Sequence, residues 1–241
     1  MSISVDLPAP ARVLAVGAHP DDIEFGCGAT LAKWARSGAL VTLCICTDGS
    51  KGTWDPGADL AELVAVRESE QRAAAGVLGA LAVEFLGLVD GELRDDLPVR
   101  AALCAVIRRT QPDVVLGHDA WQPYRLHPDH AQAGLLTLGA IVAARDPHFF
   151  PEQGLKPHRP STLLCFEPAH VHHVEDIEGF VDAKVNALLA HRSQWQSTMG
   201  IHDDPDAQCA AFARELHDEA RSHGLRAGLR AAEAFARIDD L

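Results

Sequence analysis

The chain has 241 residues, 47% of them hydrophobic and 23% charged, which is long enough to bury a large core without disulfides or a structural metal. Its formal net charge of −13 repels phosphate and anionic lipid and argues against nonspecific nucleic-acid binding and against adhesion to membranes. No run reaches the ~18 apolar residues of a membrane span, and the first ten residues lack the basic and apolar regions of a signal peptide, so a cytoplasmic protein is expected.

Apolar runs and helical patterns alternate along the chain. Arg12–Gly17 reads as a first strand, Ala29–Ser37 as a helix closed by Gly38, and Leu40–Cys46 as a second strand. A long helix follows over Asp59–Leu78, with Gly79 as its stop, then a third strand over Ala82–Leu86. Pro98–Thr110 is predicted helical and ends before Pro112, since the residue preceding proline avoids the helical region. Asp113–Gly117 is a fourth strand, His130–Ala144 a helix and Thr162–Phe166 a fifth strand. The Pro-rich segment 146–160 reads as a long loop, a cleft wall or a subunit contact. Ile177–Trp195 and Ala207–Ile238 read mainly as helix.

Continuously apolar strands alternating with helices imply a parallel sheet covered on both faces. The expected fold is a Rossmann-like three-layer α/β sandwich with a mostly parallel sheet of order 3-2-1-4-5. Residues 1–241 would form one α/β domain, with 200–241 as a C-terminal helical extension. Cys27, Cys44, Cys46, Cys104, Cys165 and Cys209 form no CxxC pair and read as reduced thiols. Gly26 and Gly28 lie in a GxGxxL run that lacks the third glycine of a dinucleotide fingerprint, so they read as small residues for close helix–sheet packing.

Thirteen histidines in an acidic chain prompt a search for a metal site, and two clusters stand out. The first strand runs into His19-Pro20-Asp21-Asp22-Ile23-Glu24, and ten residues after the fourth strand comes His127-Pro128-Asp129-His130. In the expected strand order these two strands adjoin at the topological switch point, where open α/β sheets bind ligands. His19, Asp22 and His130 would supply two imidazoles and a carboxylate, a catalytic zinc set that leaves room for water. Asp21 and His127 would then stand beside the metal as base and oxyanion partner, the arrangement of metal-assisted hydrolysis. The same two-His-one-Asp set also suits Fe(II), so a non-haem iron oxygenase is an alternative; a noncatalytic sugar- or metal-binding module is another. Glu167–His173 carries three further histidines without supporting carboxylate spacing and reads as a cleft-edge loop.

At these residues the sequence resembles the PIG-L/LmbE-like N-deacetylases, and the resemblance extends over roughly Arg12 to Gln194. Thr47-Asp48-Gly49-Ser50, Arg67-Glu68, Val89-Asp90-Gly91-Glu92, Lys184 and His191-Arg192-Ser193-Gln194 are similar to the same family's pattern. The resemblance implies hydrolysis of an N-acetyl group from a glucosamine-type sugar or its conjugate with one divalent metal per chain, usually zinc; an amidase of a larger thiol conjugate is a variant of the same chemistry. It implies His19, Asp22 and His130 as ligands, Asp21 as base and His127 as oxyanion partner. Arg67 and Asp90 are implied as sugar contacts. Tyr124 and Arg125, just ahead of His127, stand near the positions where some members place a Tyr or Arg that faces the substrate. The expected partner is a small amino sugar, and a homo-oligomer is compatible with the sequence.

Overall fold

The structure, a computed structural model, describes residues 3–241. Its centre is one eight-stranded sheet. In chain order the strands are β1 (Ser4–Val5), β2 (Arg12–Gly17), β3 (Leu40–Thr47), β4 (Ala82–Leu88), β5 (Val114–His118), β6 (Thr162–Phe166), β7 (His173–Asp176) and β8 (Ala232–Asp239). The helices are α1 (Asp22–Arg36), α2 (Leu60–Leu78), α3 (Leu97–Thr110), α4 (Pro128–Arg145), α5 (Val181–Leu189) and α6 (Pro205–Ala227). Across the sheet the order is β1-β7-β8-β6-β5-β2-β3-β4. The run β4-β3-β2-β5-β6 is parallel throughout and is the 3-2-1-4-5 order expected from the apolar runs.

Alternation along β2 divides the core in two. Val13 and Ala15 face a cluster with α1 and α2, while Leu14 and Val16 face one with α3 and α4. Cys44 and Cys46 share that second face, and five of the six cysteines are buried free thiols. Asp59 caps α2 by accepting from the Ala61 and Glu62 amides, and Gly79 ends it at φ 76°, a left-handed conformation that glycine adopts without a Cβ penalty.

Beyond β6 the chain departs from expectation. Ala207–Ile238 is not mainly helix: α6 stops at Gly228, and the chain returns as β8, antiparallel to both β6 and β7. The strands β1 and β7 were likewise not foreseen, and Ile177–Trp195 divides into α5 and a short turn of 3₁₀ helix at Arg192–Gln194. α1 begins at Asp22 rather than Ala29, with a break in helical geometry at Cys27. At that break Glu233 of β8 accepts from the amides of Ala29 and Thr30, supplying the acceptors that the interrupted helix lacks. A Cβ on Gly26 would stand 2.4 Å from the Phe166 ring, so the packing reading of this glycine holds. The 146–160 loop lies at the amino end of the central strands, where Phe149 lines a cavity with Leu138, Ile141 and Leu241. Buried Arg108 pins it through the carbonyls of Ala143, Ala144, Asp146 and Phe149, and His158 binds the Pro112 carbonyl near the start of β5, opposite the strand ends described next.

Candidate metal centre

The carboxyl ends of β2 and β5 lie side by side, so the loop leaving β2 and the N-terminus of α4 meet in one crevice. Two helix N-termini also meet there, and each favours the negative charge that the motifs place in its first turn, Asp22 and Glu24 in α1 and Asp129 in α4. Asp21 sits at the cap of α1 with φ 92°, a value that a residue with a Cβ adopts only when its surroundings impose it. Here the Asp21 amide donates to Gln71 Oε1 at 3.0 Å, and Arg67 Nη2 donates to the Pro20 carbonyl at 2.6 Å. Gln71 in turn donates to buried Glu24 at 2.6 Å. Two side chains of α2 thus hold the turn that carries Asp21.

Asp22 is the hub. Its Oδ2 lies 3.2 Å from His19 Nδ1 and 3.2 Å from His118 Nε2, and its Oδ1 lies 3.3 Å from His130 Nε2. Ligands bound to zinc at about 2.0–2.2 Å in a tetrahedral site stand roughly 3.4 Å from one another. Asp22 therefore sits at ligand spacing from both imidazoles of the expected set. His19 presents its other nitrogen, Nε2, to Asp129 and Asp90, each at 3.2 Å. That carboxylate pairing leaves Nδ1 as the lone-pair nitrogen on the Asp22 side, the usual second support of a metal-binding histidine. Donor atoms gather within 4.8 Å in three groups: His19 with His127 and His130, His19 with Asp90, His127 and Asp129, and Asp22 with His118 and His130; the expected set of His19, Asp22 and His130 is divided between the first and the third, which share His130. The His/Asp cluster as a whole has the donor chemistry of a divalent-cation site.

The electrostatics agree. Burial opposes charge on His19, but Asp22, together with the hydrogen bonds that the ring donates to Asp129 and Asp90, overrides it and drives the imidazole up to about 12. Three carboxylates around one imidazole leave a surplus of negative charge at this spot. Burial raises the Asp21 carboxyl to about 6, partly offset by Arg67. Burial also depresses His118 to about 4. His127, half exposed, is shifted below its usual value by burial and by His19 and His130, against the smaller pull of Asp129 and Asp90. It is therefore held neutral rather than charged by the neighbouring acids, and a neutral imidazole still offers one N–H.

A cavity of about 260 Å³ opens over this cluster, lined by His19, Asp21, Asp22, Asp90, His127 and His130 among others. Arg67 lines it too, although its guanidinium already serves the carbonyls of Pro20 and Gly49 and approaches Asp21 at 3.5 Å. Asp90 faces His19. Arg125 lies outside the cavity lining, donates to His130 Nδ1 at 2.7 Å and pairs with Glu167. A cation taken by His130 through Nε2 requires the proton on Nδ1 and therefore the loss of that Arg125 bond. Tyr124, 98% exposed at φ 61°, is not part of the cavity. Sequence reasoning missed three members. His118 ends the apolar run of β5 at the sheet's carboxyl edge, which is itself a signal. Asp129 stands inside the second motif with no role given to it by the sequence, yet it accepts from the amides of Gly91 and Leu93 and from the His19 ring. Gln71 carried no signal. The histidines of Glu167–His173 belong to none of the groups with metal-ligand spacing among the described residues.

The family model described as PIG-L: GlcNAc-PI de-N-acetylase matches residues 14–141. The diacetylchitobiose deacetylase of Thermococcus kodakarensis is 35% identical over an alignment covering 76% of this chain and 70% of the relative. The 1D-myo-inositol 2-acetamido-2-deoxy-alpha-D-glucopyranoside deacetylase of Actinosynnema mirum is 31% identical, over 80% of this chain and 85% of its own length. Among solved structures, the N,N'-diacetylchitobiose deacetylase of Pyrococcus horikoshii in complex with an inhibitor superposes with a TM-score of 0.85 at 30% identity, covering 95% of this chain and 84% of that one.

Proposed function

The chain belongs to the PIG-L family of de-N-acetylases, and from that premise we propose that it hydrolyses the N-acetyl group of an N-acetylglucosamine-type sugar or its conjugate, using one zinc ion held by His19, Asp22 and His130. The observation that carries this reading is the half-buried Asp22 carboxylate at ligand spacing from each of the two imidazoles, beside a strained, buried Asp21. When bound, zinc polarises the acyl carbonyl and brings the pKa of water toward ~7.

The rest falls to side chains. Asp21, ionised at neutral pH, takes a proton from the attacking water as the water oxygen bonds to the acyl carbon. It returns the proton to the amide nitrogen as the C–N bond breaks, so acetate and a free amine result. His127 donates its N–H to the acyl oxygen while negative charge develops there. Asp129 and Asp90 hold the His19 ring, and Arg67 and Gln71 hold the Asp21 turn. Arg67 and Asp90 also border the space for the sugar; no role is assigned to Tyr124. Free thiols support a cytoplasmic setting for the reaction, and no described helix is long and apolar enough to cross a membrane.

The test is acetate release from N-acetylglucosamine, diacetylchitobiose and an N-acetylglucosaminyl inositol with zinc added. Turnover on at least one, abolished by a chelator and restored by zinc, is expected. No acetate from any N-acetylated amino sugar would overturn the proposal.

A further inference from the structure

We propose that Trp54 is the platform of a second sugar site, so that the preferred substrate is an N-acetylglucosamine unit joined to another pyranose ring rather than the free monosaccharide. The inference rests on the deacetylase reading and extends it to the part of the substrate that does not react.

Size comes first. The cavity over the metal cluster, about 260 Å³, is smaller than the roughly 300–1,000 Å³ of pockets that enclose drug-sized ligands. One N-acetylated hexosamine is the scale of molecule it admits, and a second ring must lie outside, over the mouth. At that mouth stands Trp54, the most exposed of the chain's four tryptophans, at 84%. Trp34 is buried in the core, and Trp195 donates its indole N–H to the Leu189 carbonyl.

The ring is presented by an ordered turn. Just before it, the Gly52 carbonyl accepts from Gln194 Nε2 at 3.1 Å. Just after it, the Asp55 amide donates to Thr53 Oγ1 at 3.1 Å, and Asp55 Oδ1 accepts from the Gly57 amide at 2.8 Å. Thr53, Gln194, Ser197 and Thr198 line the same cavity and supply hydroxyl and amide groups of the kind that pair with sugar hydroxyls. A pyranose is polar at its edge and apolar on its C–H face. A rigid indole with two side-chain torsions covers such a face with little entropy loss, and burying the face is favourable in water. Flat apolar ring, polar rim and a cavity one sugar deep are thus complementary to a disaccharide.

The experiment compares the zinc-loaded wild-type enzyme with W54A and W54F on N-acetylglucosamine and on N,N'-diacetylchitobiose. The ratio of kcat/KM for the disaccharide to that for the monosaccharide is expected to fall about tenfold in W54A, equivalent to roughly 1.4 kcal/mol. W54F, which keeps a flat ring, should recover much of the ratio. An unchanged ratio in W54A overturns the proposal. Tryptophan emission gives a readout independent of turnover: diacetylchitobiose should quench wild-type fluorescence and leave W54F largely unquenched. Should no sugar release acetate, the deacetylase reading fails by itself. The emission titration still decides the platform, since equal quenching in both proteins overturns it.

Discussion

Two polar clusters in this molecule each set carboxylates against histidine and are built on opposite principles. At the sheet edge, Lys33 donates to Asp6, Glu175 and the Asp176 carbonyl, at 2.7, 2.7 and 2.9 Å, which uses all three ammonium protons. Glu175 also accepts from His173 Nε2 and the Leu7 amide, each at 2.8 Å, and Ser4 Oγ meets His173 Nδ1 at 2.8 Å. Every strong group there has a partner, and a permanent cation sits between the two acids. At the carboxyl end of β2 and β5, Asp22 meets the His19 amide and three imidazoles, charged only when protonated, and Asp90 and Asp129 face the same His19 ring. The first cluster is complete and ties β1 and α1 to the sheet. The second has too much negative charge for the partners it holds, which is the state of a site completed by a cation.

Substitutions can break or sharpen that contrast. Asp21→Asn should give the largest functional effect, a loss of about 10²–10⁴ in kcat, since general-base catalysis is worth that much, with zinc content unchanged by metal analysis. Loss of the metal in this variant would make Asp21 a ligand instead. His127→Ala should retain zinc and lose about 10²–10³ in kcat, the usual effect of one oxyanion donor, with KM within a few-fold. A raised KM at unchanged kcat would reassign His127 to substrate binding.

Glu175→Ala addresses the other cluster. Removing one partner of a buried ion pair costs about 3–5 kcal/mol, or roughly 10 °C of melting temperature for a chain this size, and kcat at 25 °C should not change. A melting temperature within a degree or two of wild type would mean that the edge cluster does not hold the fold.

The smallest effect lies in the metal-free protein. Burial raises Asp21 from 3.8 to about 6 in the folded state, so ionising it opposes folding. That penalty is absent below the unfolded pKa, where both states are protonated, and is fully present above about 6. Metal-free Asp21→Asn should therefore be more stable than metal-free wild type at pH 8, by on the order of 1–3 kcal/mol, with the difference disappearing as pH falls through 6 toward 4. Denaturant unfolding at the two pH values measures it; a variant less stable at pH 8 would contradict the assignment of a burial penalty to this carboxylate.

How much of this was legible follows from where each signal originates. His19–Asp22 and His127–His130 stood out because each follows a continuously apolar strand, and parallel-sheet topology brings those strand ends together. The five central strands were legible for the same reason. β8 was not: in Ala232–Asp239, Ala, Glu and Arg are good helix formers following a real helix, and the strand exists because β6 and β7 offer it edges on both sides. Arg67 and Gln71 lie in a charged run that reads as a solvated helix face. Only the fold shows that both side chains turn under the Asp21 loop and are buried there. His118 was an available signal left unread, a titratable residue closing an apolar strand at the edge where ligands bind.

The central claim is that the carboxylate-rich cluster is finished by one divalent cation that serves N-acetyl hydrolysis. Zinc titrated into chelator-stripped protein, with acetate release from diacetylchitobiose followed at each addition, tests it most directly. Activity should climb from background and saturate at one zinc per chain, and His19→Ala, Asp22→Ala and His130→Ala should each fail to reach saturation at that ratio. Full activity in the stripped protein, or full one-to-one saturation in all three variants, would contradict the account.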